Sequence, residues 1–140
     1  MSELVAYEAR LSSVYTSNGW LASAAIDGDL TTLCLSSYSV GAWLAVRVGS
    51  EAAVGRVDVY NRDDGYAYLL GEIEVWAGGT YGDTSATSAT RCAAAQTAPS
   101  APREDPIVFD CAGVRGKPYL TLRQLGPQRY LSILEMKAFG

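Results

Sequence analysis

Five stretches of this chain alternate apolar and polar residues with a period of two, and none carries an apolar stripe at helical spacing. Side chains point to alternate faces of a strand, so this pattern suits sheets that bury one face and wet the other. In AWLAVRVG (42–49), Leu44, Val46 and Val48 share one face, and Trp43, Ala45 and Arg47 the other. In GRVDVYNR (55–62), Val57 and Val59 alternate with Arg56, Asp58 and Tyr60. In GEIEVWAG (71–78), Ile73 and Val75 alternate with Glu72, Glu74 and Trp76, which puts Glu72 and Glu74 together on a solvated face. PYLTLRQL (118–125) places Leu120 and Leu122 opposite Thr121 and Arg123. In RYLSILEMKAF (129–139), alternation groups Tyr130, Ser132, Leu134 and Met136. The turn clusters SNG, DGD, NRDDG, AGGTYGD, GVRG and LGPQ separate these runs. Short strands without helices between them predict an all-β sandwich or barrel. With 140 residues, 49% of them apolar, the chain predicts one domain over 1–140 with a substantial core.

Residues 79–106 break the pattern with a long Ala/Ser/Thr/Pro excursion. Within it TRCAAAQTA has the best helical propensity, for one or two turns at most before Pro99 and Pro102. Cys92 and Cys111 bracket this segment, where a disulfide would staple a loose loop; three reduced thiols are the alternative.

The chain has no histidine, which removes the commonest general base and the commonest transition-metal ligand together. With three cysteines it lacks the thiolates for an all-cysteine zinc site. These absences favour binding over catalysis. A glycosidase would need two carboxylates across a cleft, and the acidic pairs Asp63-Asp64 and Glu72/Glu74 do not suggest one, so no enzyme activity is expected. The net charge of −4 and the scattered Lys and Arg argue against nucleic acid. No apolar run approaches the roughly 18 residues of a membrane span. MSELVAYEARLSS has neither the basic start nor the apolar core of a signal peptide. Cysteine usage nonetheless favours an extracellular or cell-surface piece of a longer protein over a cytosolic chain.

AAIDGDLTTLCLSS (24–37) concentrates hard oxygens: Asp27, Asp29, Thr31 and Thr32. An EF-hand register fails, because its fifth, sixth and twelfth positions hold Thr31, Thr32 and Tyr38. A discontinuous calcium site completed by a distant carboxylate and a tight Asp-Gly turn both remain open.

ARLSSVYTS, AAIDGDLTTLCLSS, WLAVRVGSEAAVGRVDVYNRDD, IEVWAGG and RYLSILEMKAFG follow one another along the chain. In that order they resemble the discoidin, or coagulation factor V/VIII type C, domain, and more narrowly its F-type lectin (fucolectin) branch. The resemblance covers nearly the whole chain and rests on order and spacing together. It implies a jelly-roll β-sandwich of about eight antiparallel strands, of galactose-binding-domain type, with ligand loops at one end. It also implies a structural Ca2+. The ligands would be side-chain oxygens of Asp27 and Asp29, the Ala24 carbonyl, Thr32, and from the last strand Glu135 with the Leu134 carbonyl. Glu135 stands out as an acid on an otherwise apolar strand.

Fucose-binding members of that family grip the sugar with a histidine, an arginine and a second basic residue beyond an R-x-D motif, beside a disulfide. Here Arg62-Asp63-Asp64 reproduces R-x-D. The second basic position is Leu69, the paired cysteines are Gly65 and Tyr66, and Ser36 or Ser37 stands where the histidine would be. Each charged hydrogen bond contributes about 1.5–3 kcal/mol, so losing two predicts no fucose binding. Two functions follow from the resemblance. One is a calcium-dependent lectin-like domain for another glycan or glycoprotein, held by Arg62, Asp64 and Ser36 with Tyr38, Tyr66 and Tyr68 stacking on the sugar. The other is a structural or protein-interaction module, self-association included, that keeps the sandwich without the sugar. The family also implies the Cys92–Cys111 pairing and, with Leu134 at the partner position, an unpaired Cys34 that is either buried or open to an intermolecular link.

Overall fold

The computed structural model describes residues 1–16 and 19–140, so the first two positions of the SNG turn lie outside it. Among the described residues ten strands form: β1 Glu8–Leu11, β2 Cys34–Leu35, β3 Trp43–Arg47, β4 Ala53–Asn61, β5 Glu72–Gly78, β6 Thr90–Arg91, β7 Gln96–Thr97, β8 Ile107–Arg115, β9 Tyr119–Gln124 and β10 Ser132–Phe139. They make two antiparallel sheets. One runs β1-β3-β9-β5-β6, with β7 also on β5, and the other β2-β10-β4-β8. This is the expected jelly-roll sandwich, its count raised by three two-residue strands, β2, β6 and β7.

The alternation in the sequence builds the core. Leu44 and Val46 of β3, Ile73 and Val75 of β5 and Leu120 and Leu122 of β9 meet Val57 and Val59 of β4, Phe109 of β8 and Ile133 of β10 between the sheets. Each such side chain contributes roughly 1.5–3 kcal/mol of burial.

In β10 the structure departs from simple alternation. Ile133 pairs with Asn61 while Glu135 pairs with Tyr60, so Leu134 is an extra residue in a β-bulge. The core face therefore reads Leu131, Ile133, Met136 and Ala138, and the expected Tyr130/Ser132/Leu134/Met136 face is broken at Leu134.

Glu72 and Glu74 also differ from the solvated pair expected. Glu72 is exposed, but Glu74 is buried. The β5–β9 register sets Glu74 opposite Arg123, whose Nε and Nη2 both donate to Glu74 Oε1. TRCAAAQTA forms no helical turn. Its ends become β6 and β7 on the edge of β5, where the Cys92 amide donates to the Val75 carbonyl (2.8 Å) and the Ala98 amide to that of Gly71 (2.9 Å). A helix there would leave the polar edge of β5 bare.

Cys92 and Cys111 form a disulfide across a separation of 19 residues. Cys34 is unpaired and wholly buried, and that burial pushes its thiol up to about 11, which disposes of the intermolecular link. Two outcomes follow. Replacing both disulfide cysteines by alanine should lower unfolding stability in urea by about 3 kcal/mol, the value for a loop of this size. Cys34 should stay silent to a thiol reagent in the native protein and react only on unfolding.

Candidate functional site

A short 3-10 turn, Ala22–Ile26, leads into the acidic loop. Gly28 takes φ 73°, a region open to glycine without steric cost, and this lets the loop fold back on itself. Asp27 Oδ1 accepts from the Asp29 amide (2.9 Å), and Asp27 Oδ2 from the Thr32 hydroxyl (2.6 Å). Asp29 Oδ1 accepts both the amide (2.8 Å) and the hydroxyl (2.6 Å) of Thr31, which holds the Asp29 carboxyl below its usual range. The Gly28 amide donates to Glu135 Oε2 at 3.0 Å. The other oxygen, Oε1, is buried and has no hydrogen-bond partner among the described residues. Burial first, and then the Asp27 carboxylate beside it, push the Glu135 carboxyl up to about 7 against the pull of the Gly28 amide.

The sequence-predicted cation residues are thus partly brought together. Asp27 and Glu135 face each other. Ala24, Asp27 and Thr32 line one open groove of about 520 Å³, and Leu134 sits in the bulge next to Glu135. The Asp29 carboxylate is turned to Thr31 instead. Among the described residues no three acidic or cysteine side chains gather closely enough to hold a metal ion.

Trp20 lines that groove and also a neighbouring cleft of about 370 Å³, together with Tyr15, Leu35, Arg62, Tyr66, Leu69 and Tyr130. Arg62 leaves the end of β4 and forks. Nε and Nη2 donate to Asp64 Oδ1 (2.9 Å) and Oδ2 (2.8 Å), and Nη1 to Ser132 Oγ of β10 (3.2 Å). Its guanidinium carbon lies 5.0 Å from the centre of the Tyr66 ring. The pair with Asp64 is half-exposed on the acid's side, so it contributes little stability and mainly orients the arginine. Tyr15 packs 5.7 Å from Trp20 and 5.8 Å from Tyr130, and Tyr130 packs 5.1 Å from Tyr38, forming an aromatic strip. The far wall is pinned through its backbone. Gln124 Nε2 donates to the Leu69 (3.2 Å) and Tyr130 (2.8 Å) carbonyls, and Arg129 Nη2 to those of Leu70 (3.1 Å) and Glu72 (2.8 Å).

Of the expected ligand residues, Arg62 and Tyr66 line the cleft and Asp64 holds Arg62. Tyr38 sits against Tyr130, and Tyr68 lies 6.5 Å from Tyr66. Ser36 is the correction. It is wholly buried, its hydroxyl accepting from the Leu131 amide (2.9 Å) and donating to the Ser37 carbonyl (2.9 Å), so it braces the chain behind the cleft and has no free group to offer a ligand. Sequence reasoning missed Tyr15, Trp20, Leu35 and Tyr130. The signal available was aromatic residues flanking turns, at Tyr15 and Trp20 around SNG and at Tyr130 after LGPQ.

The two antiparallel sheets make a jelly roll of galactose-binding-like fold. The chain belongs to the F5/F8 type C family, in its NedA-like, galactose-binding form, whose family model matches residues 24–118. No curated protein matches the chain. Among solved structures, a fucolectin from the serum of the striped bass Morone saxatilis is 24% identical over 95% of this chain, with a TM-score of 0.77; the chain spans 45% of that lectin. A mutant of the lectin-binding domain of lectinolysin, complexed with Lewis b, is 23% identical over 99% of this chain and 96% of that one, with a TM-score of 0.74. A chitosan-binding module from a Paenibacillus chitosanase/glucanase is 21% identical over the whole of both chains, with a TM-score of 0.72. At these identities the likeness is one of fold.

Proposed function

We propose that this domain is a non-enzymatic, calcium-dependent carbohydrate-binding module whose cleft around Arg62 takes a glycan other than fucose, free or on a glycoprotein. The observation that carries this reading is the convergence, in one cleft, of a pre-oriented guanidinium and the rings of Tyr15, Trp20, Tyr66 and Tyr130. A sugar presents hydroxyl oxygens that accept from arginine and a C–H face that packs on aromatic rings. The lectinolysin and Paenibacillus neighbours, which bind Lewis b and chitosan on the same fold, support a sugar ligand. Leu69 argues against fucose: it lines the cleft where the family's fucose binders carry a basic residue. The disulfide supports an extracellular or cell-surface location.

The calcium part of the reading is supported by Glu135. Two facing carboxylates with one buried, unpartnered oxygen are a charge arrangement that a divalent cation would relieve. Asp27, Thr32 and Glu135 would hold it with the Ala24 and Leu134 carbonyls, and Asp29 would join only by turning away from Thr31. When bound, the ion would supply positive charge that ties the acidic loop to β10.

Added calcium should raise the melting temperature and a chelator should lower it; at a hundredfold excess over Kd the stabilisation is about 2.7 kcal/mol. Asp27→Ala and Glu135→Ala should each abolish the shift, and a wild type indifferent to calcium removes the ion from the reading. A broad glycan array followed by calorimetric titration tests the cleft. Arg62→Ala should weaken any sugar found by about tenfold or more, the value of a charged hydrogen bond. Binding that survives Arg62→Ala places the site elsewhere. A blank array from a stable homo-oligomer would favour the interaction module instead.

A further inference from the structure

We infer that the glycan site continues past Trp20 into a second sugar subsite, so that the ligand is an oligosaccharide and not a single sugar. This rests on the glycan-binding reading above.

Trp20 lines the Arg62 cleft and the groove of the acidic loop alike, and it is 48% exposed, so its indole is open to a ligand. Its backbone is held in place at a cost. Trp20 takes φ 54°, a left-handed conformation that disfavours any residue with a Cβ. The Leu35 amide donates to its carbonyl at 2.9 Å, and Tyr15 packs against its ring. The strained residue is therefore a fixed partition between two depressions.

The two sides of that partition have opposite hydrogen-bonding character. On the cleft side the strong polar group is the Arg62 guanidinium, a donor only. On the groove side stand Ser23, Asp27, Thr31 and Thr32, with Leu33. The Thr31 hydroxyl already donates to Asp29, so what it has left to offer is acceptor oxygen, while Asp27 and Thr32 are reserved for the ion proposed above. Ser23 is exposed, and its hydroxyl makes no hydrogen bond among the described residues. One sugar ring would present acceptor oxygens to Arg62. The next, across Trp20, would present hydroxyl donors to the groove and C–H surface to Leu33 and the indole.

The test compares monosaccharide with tri- and tetrasaccharide of the best array hit by calorimetry at one fixed calcium concentration, because Asp27 and Thr32 belong to both the groove and the acidic loop. The longer ligands should bind about tenfold tighter, equivalent to 1.4 kcal/mol. Ser23→Leu, which crowds the groove from its exposed lip, should bring that ratio to about one, with the melting temperature confirming the fold. Monosaccharide binding that Arg62→Ala abolishes, with no gain on lengthening the ligand, overturns the second subsite and leaves the glycan reading standing. A chain-length gain that Ser23→Leu does not touch also overturns it. No binding of any length overturns both.

Discussion

The hydrogen bond from the Gly28 amide to Glu135 Oε2 joins two segments 107 residues apart, and the end of the sandwich that carries the cleft is organised around it. It exists because β10 bulges. Without Leu134 as an extra residue, the core phase set by Leu131 and Ile133 would continue to Glu135 and Lys137 and drive two charges between the sheets. Burying a carboxylate unpaired in apolar surroundings costs several kcal/mol. The bulge shifts the phase, gives the core Met136 and Ala138, and turns Glu135 toward the acidic loop. The same irregularity thus keeps the core apolar and supplies the loop with its distant carboxylate.

The Arg62 cleft hangs from the same strand. Ser132, two residues before the bulge, accepts from Arg62 and pairs in register with Leu35 of β2, whose amide holds the Trp20 carbonyl. Leu131, just before it, gives its amide to the buried Ser36 hydroxyl. Arginine, aromatic partition and acidic loop therefore share one scaffold, residues 131–135, which includes the bulge. A shift in the β10 register would move all three together, which is the physical reason to treat acidic loop and cleft as one unit.

Much of this was legible in the sequence, for reasons that also mark the limits. The strands that build the core read directly because the apolar residues of β3, β5 and β9 alternate with period two, although Ala45, Glu74 and Thr121 on the opposite face are buried as well. Glu135 was legible as an anomaly, an acid in an apolar run. The bulge that explains it was not, since a bulge is a phase shift that alternation, read residue by residue, averages away. Glu74 was misread for a different reason: its partner Arg123 lies 49 residues on, and only the β5–β9 register brings them together. The cleft was half legible. Arg62 and Asp64 sit in one local motif, whereas Tyr15, Trp20 and Tyr130 belong to separate loops that the jelly-roll connection gathers. Ser36 fails as a ligand for the same reason in reverse, its hydroxyl being used up by an amide 95 residues away.

The composition of the cleft bears on how selective it would be. A site that clasps a sugar with two or three charged donors fixes the positions of several hydroxyls, because each hydrogen bond is directional and weakens steeply off axis. Here one guanidinium does that work, and each of its three nitrogens already donates within the protein, two to Asp64 and one to Ser132. The rest of the lining is tyrosine, tryptophan and leucine, whose contact energy follows area and shape more than direction. In the proposed reading, such a site would discriminate weakly among single sugars that share an apolar face. Selectivity would have to come from length, through whatever a second ring meets beyond Trp20, and the hydroxyl-bearing groove at the acidic loop is the surface the fold places there.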